Sequence, residues 1–377
     1  MEKRVMVVIG TRPEAIKMAP VVRELQQRTG LKPVVVATSQ HKEMLHQALA
    51  AFDITPDLDL DVMKPGQDLE HITCTVLERL APLVREIRPD AMLVHGDTTT
   101  AMAASLVGYY NGVMVGHVEA GLRSFDKQAP YPEEVNRRIV GVVADWHFAP
   151  TSAAAGNLAA EGVTAASVAI TGNTIVDAVQ QVSRKLLDDR RIEAELSAAG
   201  MRHWDKRIIL VTGHRRENLD GGIERMCTAL ARITDELEDV VVVYPVHLNP
   251  RVKDAVNKTL SGRDRVLLMS PLGYEPFVYL MAKATLIVTD SGGIQEEAAA
   301  LSKPVLITRT VTERPEVVEA GIGILVGTEP EAIYSNAVAI LADREKYDAM
   351  SSAVNPFGDG FAAARICDFL QRALCAR

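Results

Sequence analysis

Between residues 5 and 118 short runs dominated by Val, Ile and other apolar residues, "VMVVIG", "PVVVAT", "AMLVHG" and "VMVGHV", alternate with longer amphipathic stretches. A run that is apolar at nearly every position, rather than at every second one, reads as a strand buried on both faces. Such a strand belongs in a parallel sheet with helices above and below it. The series starts afresh near Arg207 with "IILVTG", "VVVVYPV", "VLLMSP", "LIVTD", "VLITR" and "GILVG". The expected fold class is therefore α/β with two parallel sheets, and 377 residues suffice for two domains of ordinary size. A hydrophobic fraction of 47% with 24% charged residues fits compact domains and excludes a disordered chain or a coiled coil.

The charged, helix-prone stretch "VSRKLLDDRRIEAELSAAGMRHWDKR" separates the two series and reads as a connecting helix. This places an N-terminal Rossmann-like domain at 1–170 and a C-terminal one at 171–359. After the break "NPFGDG", residues 360–377 read as a helix with Ile366, Phe369, Leu370 and Leu374 on one face, expected to pack back on the first domain. A net charge of −8 argues against nucleic acid as a partner, because phosphate backbones demand a basic stripe. The run Val5 to Ile9 is too short for a signal-peptide core, and nothing approaches the ~18 apolar residues of a membrane span. Cys74, Cys227, Cys367 and Cys375 lack metal or disulfide spacing. The expectation is a soluble cytoplasmic protein with no membrane contact.

Open parallel sheets bind ligands beyond the carboxyl ends of their strands, at the point where strand order reverses. Two facing sheets would make an interdomain cleft there. Asp97 and Glu119 each follow a strand, and "SFDKQAPYPEEVNRR" adds Glu133; singly each acid reads equally as a cap or loop charge, together they suggest a site. In "GTRPEAIKMAP", Thr11 and Glu14 make a capping box, but Arg12 and Lys17 are cations near a helix N-terminus whose dipole disfavours them, a conflict that a bound anion removes. "TDSGGIQEEAAAL" puts Ser291, Gly292 and Gly293 at a strand–helix junction, where paired glycines admit a phosphate close to backbone N–H groups. His214, Arg215 and Arg216 follow another strand in "TGHRREN", and Arg314 precedes Pro315 in a loop. No G-x-G-x-x-G follows a strand, so no dinucleotide cofactor is expected. "DLDLD" at 57–61 looks like a metal-binding D-x-D, but the alternating leucines read as a strand with one wet face, and no metal site is expected.

Taken in order, "GTRPEAIKMAP", "SQHKEML", "VHGDTTT", "GHVEAGLRS", "YPEEVNR", "TGNTIVDA", "TGHRREN", "YPVHLNP", "TDSGGIQEEAAAL" and "TERPEVVEAG" make the chain resemble the bacterial non-hydrolysing UDP-N-acetylglucosamine 2-epimerases over nearly its full length. In "TRTVTERPE" it departs from relatives, which tend to carry an acid soon after the first arginine, Arg309. The resemblance implies a GT-B-like pair of facing Rossmann-like domains, a homodimer, and no cofactor. It implies Asp97, Glu119, Glu133 and His214 as the catalytic set, with Arg12, Lys17 and His214 near the diphosphate. Ser291, Gly292, Gly293, Glu297 and Arg314 would surround UDP, and Phe277 would border the uracil. Gln40, Arg215 and His247 would be candidate contacts to a second, activating UDP-sugar. The implied reaction is reversible epimerisation at C2 by elimination of UDP and re-addition. The alternatives are a hydrolysing epimerase, a GT-B glycosyltransferase and a nonenzymatic UDP-sugar sensor.

Overall fold

The computed structural model describes residues 2–39, 42–64, 66–186 and 189–375. The chain divides into two compact units, one of Met1–Ala178 with Phe357–Arg377 and one of Val179–Pro356.

The first unit is a seven-stranded parallel sheet of β1 (Lys3–Ile9), β2 (Leu31–Ala37), β3 (Leu58–Asp59), β4 (Ala91–His95), β5 (Met114–Val118), β6 (Trp146–Ala149) and β7 (Val168–Ile170), in the order β3-β2-β1-β4-β5-β6-β7. Successive residues of β1 feed opposite faces. Met6 and Val8 join a core with Val36, Met92, Val94 and Val115, while Val5, Val7 and Ile9 are just as deeply buried. That double burial is why the run is apolar throughout.

Strands β3, β6 and β7 lack such a signal. β6 is the four residues WHFA, and β7 is three residues at the sheet edge, with Ile170 55% exposed. In the "DLDLD" stretch only Leu58–Asp59 pairs with β2, Leu60 is buried, and Asp57, Asp59 and Asp61 are exposed. Among the described residues no group of three His, Cys, Asp or Glu side chains could hold a metal ion, and no helix is long and apolar enough to cross a membrane.

The second unit is a six-stranded parallel sheet of β8 (Arg207–Thr212), β9 (Val240–Pro245), β10 (Val266–Met269), β11 (Leu286–Thr289), β12 (Val305–Ile307) and β13 (Gly323–Leu325), ordered β10-β9-β8-β11-β12-β13. Each unit is thus Rossmann-like, and the order reverses between β1 and β4 in one and between β8 and β11 in the other.

The connecting stretch is two helices rather than one. Thr174–Leu186 carries the chain across the boundary, and Arg190–Ala198 begins anew because the Asp189 side chain accepts the Arg191 N–H and caps it. The last helix, Ala362–Cys375, belongs to the first unit and buries Ile366, Leu370 and Leu374; Phe369 meets Trp146 and Phe148 edge-on at 6.0 and 5.4 Å. Its first turn is held by the buried Asp177 carboxylate, which accepts the N–H groups of Ala362 and Ala363.

Candidate active site

In the first unit a cavity of about 630 Å³ opens at the switch point and is lined by Arg12, Glu14, Lys17, Asp97, Glu119 and Glu133, among others. Three loops converge on it. After β1, Gly10 lies so close to Thr100 that a Cβ there would sit 2.4 Å from its Oγ1, so the loop tolerates no side chain at that point. Glu14, buried in the helix Arg12–Gln27, reaches back with Oε2 to the N–H groups of Gly10 and Thr11, both at 2.7 Å. Its Oε1 accepts the Thr98 hydroxyl at 2.6 Å, tying this loop to the one that carries Asp97. What the sequence presents as a capping box is therefore also a brace between two site loops.

Glu119 follows β5 with φ of 61°, a left-handed conformation that a residue other than glycine adopts at a cost of roughly 1 kcal/mol or more. Its surroundings hold it there. Lys17 Nζ and, at 2.9 Å, Asn173 Nδ2 donate to Oε2, and His95 Nε2 lies 3.7 Å away. Burial by itself would raise the Glu119 carboxyl, but Lys17 and His95 outweigh it and hold the group well below the ordinary carboxylate range. Lys17 thus meets its counter-charge in Glu119, which offsets its unfavourable place near a helix N-terminus.

Asp97 is fixed from the helix Glu133–Val143. Arg137 Nη2 donates to its Oδ2, and Asn136 Nδ2 donates to its carbonyl at 3.0 Å. Glu133 opens the same helix and has a buried Oε2 with no hydrogen-bond partner among the described residues. Its neighbour Glu134 is wholly buried and accepts the N–H groups of Ser124 and Phe125. Of two adjacent acids, one braces a loop and the other faces the cavity.

In the second unit His214 follows β8 and Ser291 follows β11. Ser291 N-caps the helix Gly292–Ala300 without a side-chain hydrogen bond to the first turn. A Cβ on Gly293 would meet nothing closer than Ser291 Oγ at 4.0 Å, so the space over this turn is open. Arg314 is aimed by Glu296, whose Oε1 accepts Nε at 2.5 Å, while Glu297 is buried on the same helix. Arg309 is paired with Glu217 and Glu313, and Arg215 lies 3.6 Å from Glu313. His247 stacks on His214 with ring centroids 4.9 Å apart. Phe277 is half-buried in the first turn of Tyr274–Lys283, beyond β10. Gln40 lies outside the described residues.

The family model for UDP-N-acetylglucosamine 2-epimerase matches residues 23–371. A UDP-N-acetylglucosamine 2-epimerase of Yersinia pestis is 50% identical over 369 residues, covering 98% of this chain and 98% of the relative. One of Escherichia coli is 49% identical over the same length, again with 98% of each covered. The crystal structure of the Neisseria meningitidis UDP-GlcNAc 2-epimerase bound to UDP-GlcNAc superposes with a TM-score of 0.88 at 43% identity, covering 98% of this chain and 100% of that one. The chain belongs to the UDP-N-acetylglucosamine 2-epimerase family. Its two Rossmann-like units are the pair that makes up the GT-B-like architecture of that family, and its enzyme class is that of an isomerase.

Several residues that position these side chains were not singled out by the motifs. Arg137 had a readable signal, since it stands four residues after Glu133 and so shares its helix face. His95, Asn173 and Glu296 lie inside quoted motifs but look like ordinary strand-end or helix residues. Their partners are 24, 54 and 18 residues distant, at Glu119, Glu119 and Arg314, and only folding brings them together.

Proposed function

We propose that this chain interconverts UDP-N-acetylglucosamine and UDP-N-acetylmannosamine without releasing the sugar, by elimination and re-addition of UDP. The observation that carries the reading is the set of three carboxylates, Asp97, Glu119 and Glu133, on one cavity at the β1/β4 switch point. C2 of the sugar has no neighbouring carbonyl, so its proton is not acidic. Cleavage of C1–O sends the bonding pair into UDP, a carboxylate takes the C2 proton, and the C–H pair becomes the C1=C2 bond of 2-acetamidoglucal. Re-addition reverses these steps with a proton delivered to the opposite face.

Division of labour follows from environment. A carboxylate held ionised by Lys17 is a weak base but a good partner for positive charge at C1, and this suits Glu119. Proton transfer then falls first to Glu133, whose Oε2 meets no donor among the described residues, with Asp97, paired to Arg137 but more exposed than Glu119, as its counterpart. The departing UDP gains negative charge, for which Arg12, His214, Arg314 and the open turn at Ser291, Gly292 and Gly293 are suited. Incubation with UDP-N-acetylglucosamine followed by proton NMR tests the reading. The expected result is the C2 epimer with UDP attached; free N-acetylmannosamine with stoichiometric UDP would make the enzyme a hydrolysing one, and transfer to an added acceptor a glycosyltransferase.

The reading extends to a homodimer. The helix Glu133–Val143 leaves Val142 87% exposed and Val135 39% exposed, seven residues apart on one face that a second copy would cover. Sedimentation velocity should give twice the chain mass of 41.0 kDa. A single species at 41.0 kDa would exclude the dimer.

A further inference from the structure

Asp290 follows β11 directly and is fully buried across the switch point from His214. One of its oxygens is saturated. Oδ2 accepts the N–H groups of His214 and Arg215 at 2.9 and 2.8 Å and Asn218 Nδ2 at 3.0 Å. The other is not. Oδ1 is buried with no hydrogen-bond partner among the described residues, and it stands 4.0 Å from Nδ1 of His214. Tethering the loop that follows β8 accounts for Oδ2 alone; a carboxylate oxygen kept from water with no donor is costly, and a structural role leaves that cost unexplained.

The His214 side chain is 43% exposed and stacked flat on His247 at an interplanar angle of 12°, so it can slide along that face without unpacking a core. A movement of about 1 Å brings Nδ1 within hydrogen-bonding distance of Oδ1. We propose that Asp290 is the positioning residue of His214: Oδ1 accepts the Nδ1–H, holds the ring in that tautomer, compensates the imidazolium, and leaves Nε2 to face the diphosphate. The assignment rests on the reading of His214 as a residue on the phosphate side of a UDP-sugar site.

The charges around the ring agree with this division. Burial pushes the His214 imidazole down and Asp290 pulls it up, but His247 and Arg215 push it down again and leave it below its ordinary value without ligand. Diphosphate at Nε2 adds a second negative partner opposite the first. The ring is then favoured as a cation when UDP departs and gains charge, the same logic by which a buried carboxylate orients and supports a catalytic histidine elsewhere.

Asp290→Asn separates the two roles. The carboxamide oxygen can keep the donors now on Oδ2, while its NH₂ takes the place of Oδ1 and donates to Nδ1, forcing the Nε2–H tautomer. Long-range proton–nitrogen correlation spectra of histidine-labelled protein, with the signal assigned through His214→Gln, should show Nδ1 protonated in the UDP-bound wild type, as the Nδ1–H tautomer or the imidazolium, and the neutral Nε2–H tautomer in Asp290→Asn. Turnover of Asp290→Asn should fall about 10²-fold or more with little change in KM, and adding the substitution to His214→Gln should cost less than about threefold. A neutral ring protonated at Nε2 alone in the UDP-bound wild type overturns the proposal, as does a turnover loss that multiplies in the double variant. The wild-type spectrum decides even if Asp290→Asn fails to fold. It also decides if the chain proves not to epimerise, so the failure of this assignment and the failure of the activity reading remain distinguishable.

Discussion

Replacing Glu119 by Gln, Asp97 by Asn or Glu133 by Gln is expected to lower turnover about 10²-fold or more in each case, with far smaller changes in UDP affinity. The three substitutions remove the same charge but disturb different neighbours. Glu119→Gln leaves the Lys17 ammonium, whose side chain is 12% exposed, beside a neutral amide, so a stability loss of about 3 kcal/mol accompanies the loss of rate. Asp97→Asn costs less, because Arg137 keeps a second counter-charge in Glu134, 3.5 Å away. Glu133→Gln disturbs least, because its Oε2 has no hydrogen-bond partner among the described residues to lose. Steady-state kinetics, calorimetry with UDP and thermal melts on the three variants separate these effects. Near-native turnover of Glu133→Gln would reduce that residue to a loop charge and remove it from the proton path.

Product formed in D₂O should carry deuterium at C2 in essentially every molecule. Elimination hands the C2 proton to a carboxylate, which exchanges with solvent, and the proton that returns on the other face comes from a different group. Added nicotinamide nucleotide should change nothing, since neither β1 nor β8 is followed by a dinucleotide-binding glycine loop. Proton NMR reads the result directly as loss of the C2 signal in the epimer. Protium retained at C2 would sink the elimination route, because it requires the same hydrogen to leave and return without exchange.

The strands that carry the site were legible without coordinates. β1, β4, β5, β8 and β11 are buried on both faces, so nearly every residue is apolar and each run stops abruptly where the chain leaves the sheet. Asp97, Glu119, His214 and Ser291 could be placed at strand ends for that reason alone. β3 showed only as the alternation of "DLDLD", while β6 and β7 escaped notice because four and three residues are too few for a period to show.

Sequence by itself determined the α/β class, the restart of the pattern near Arg207 and the acids that follow the strands, since these depend on local composition and on the burial each run demands. Tertiary structure decided what each acid is. Glu133 and Glu134 are indistinguishable as letters, yet one lines the cavity and the other holds two loop N–H groups. Lys17 reads as a cation waiting for phosphate until folding sets it on Glu119, 102 residues away. Asp290 reads as a strand-end acid until His214, Arg215 and Asn218 close around it. A charge takes its protonation and its partner from burial and from neighbours distant in the chain, and neither exists before the sheet assembles.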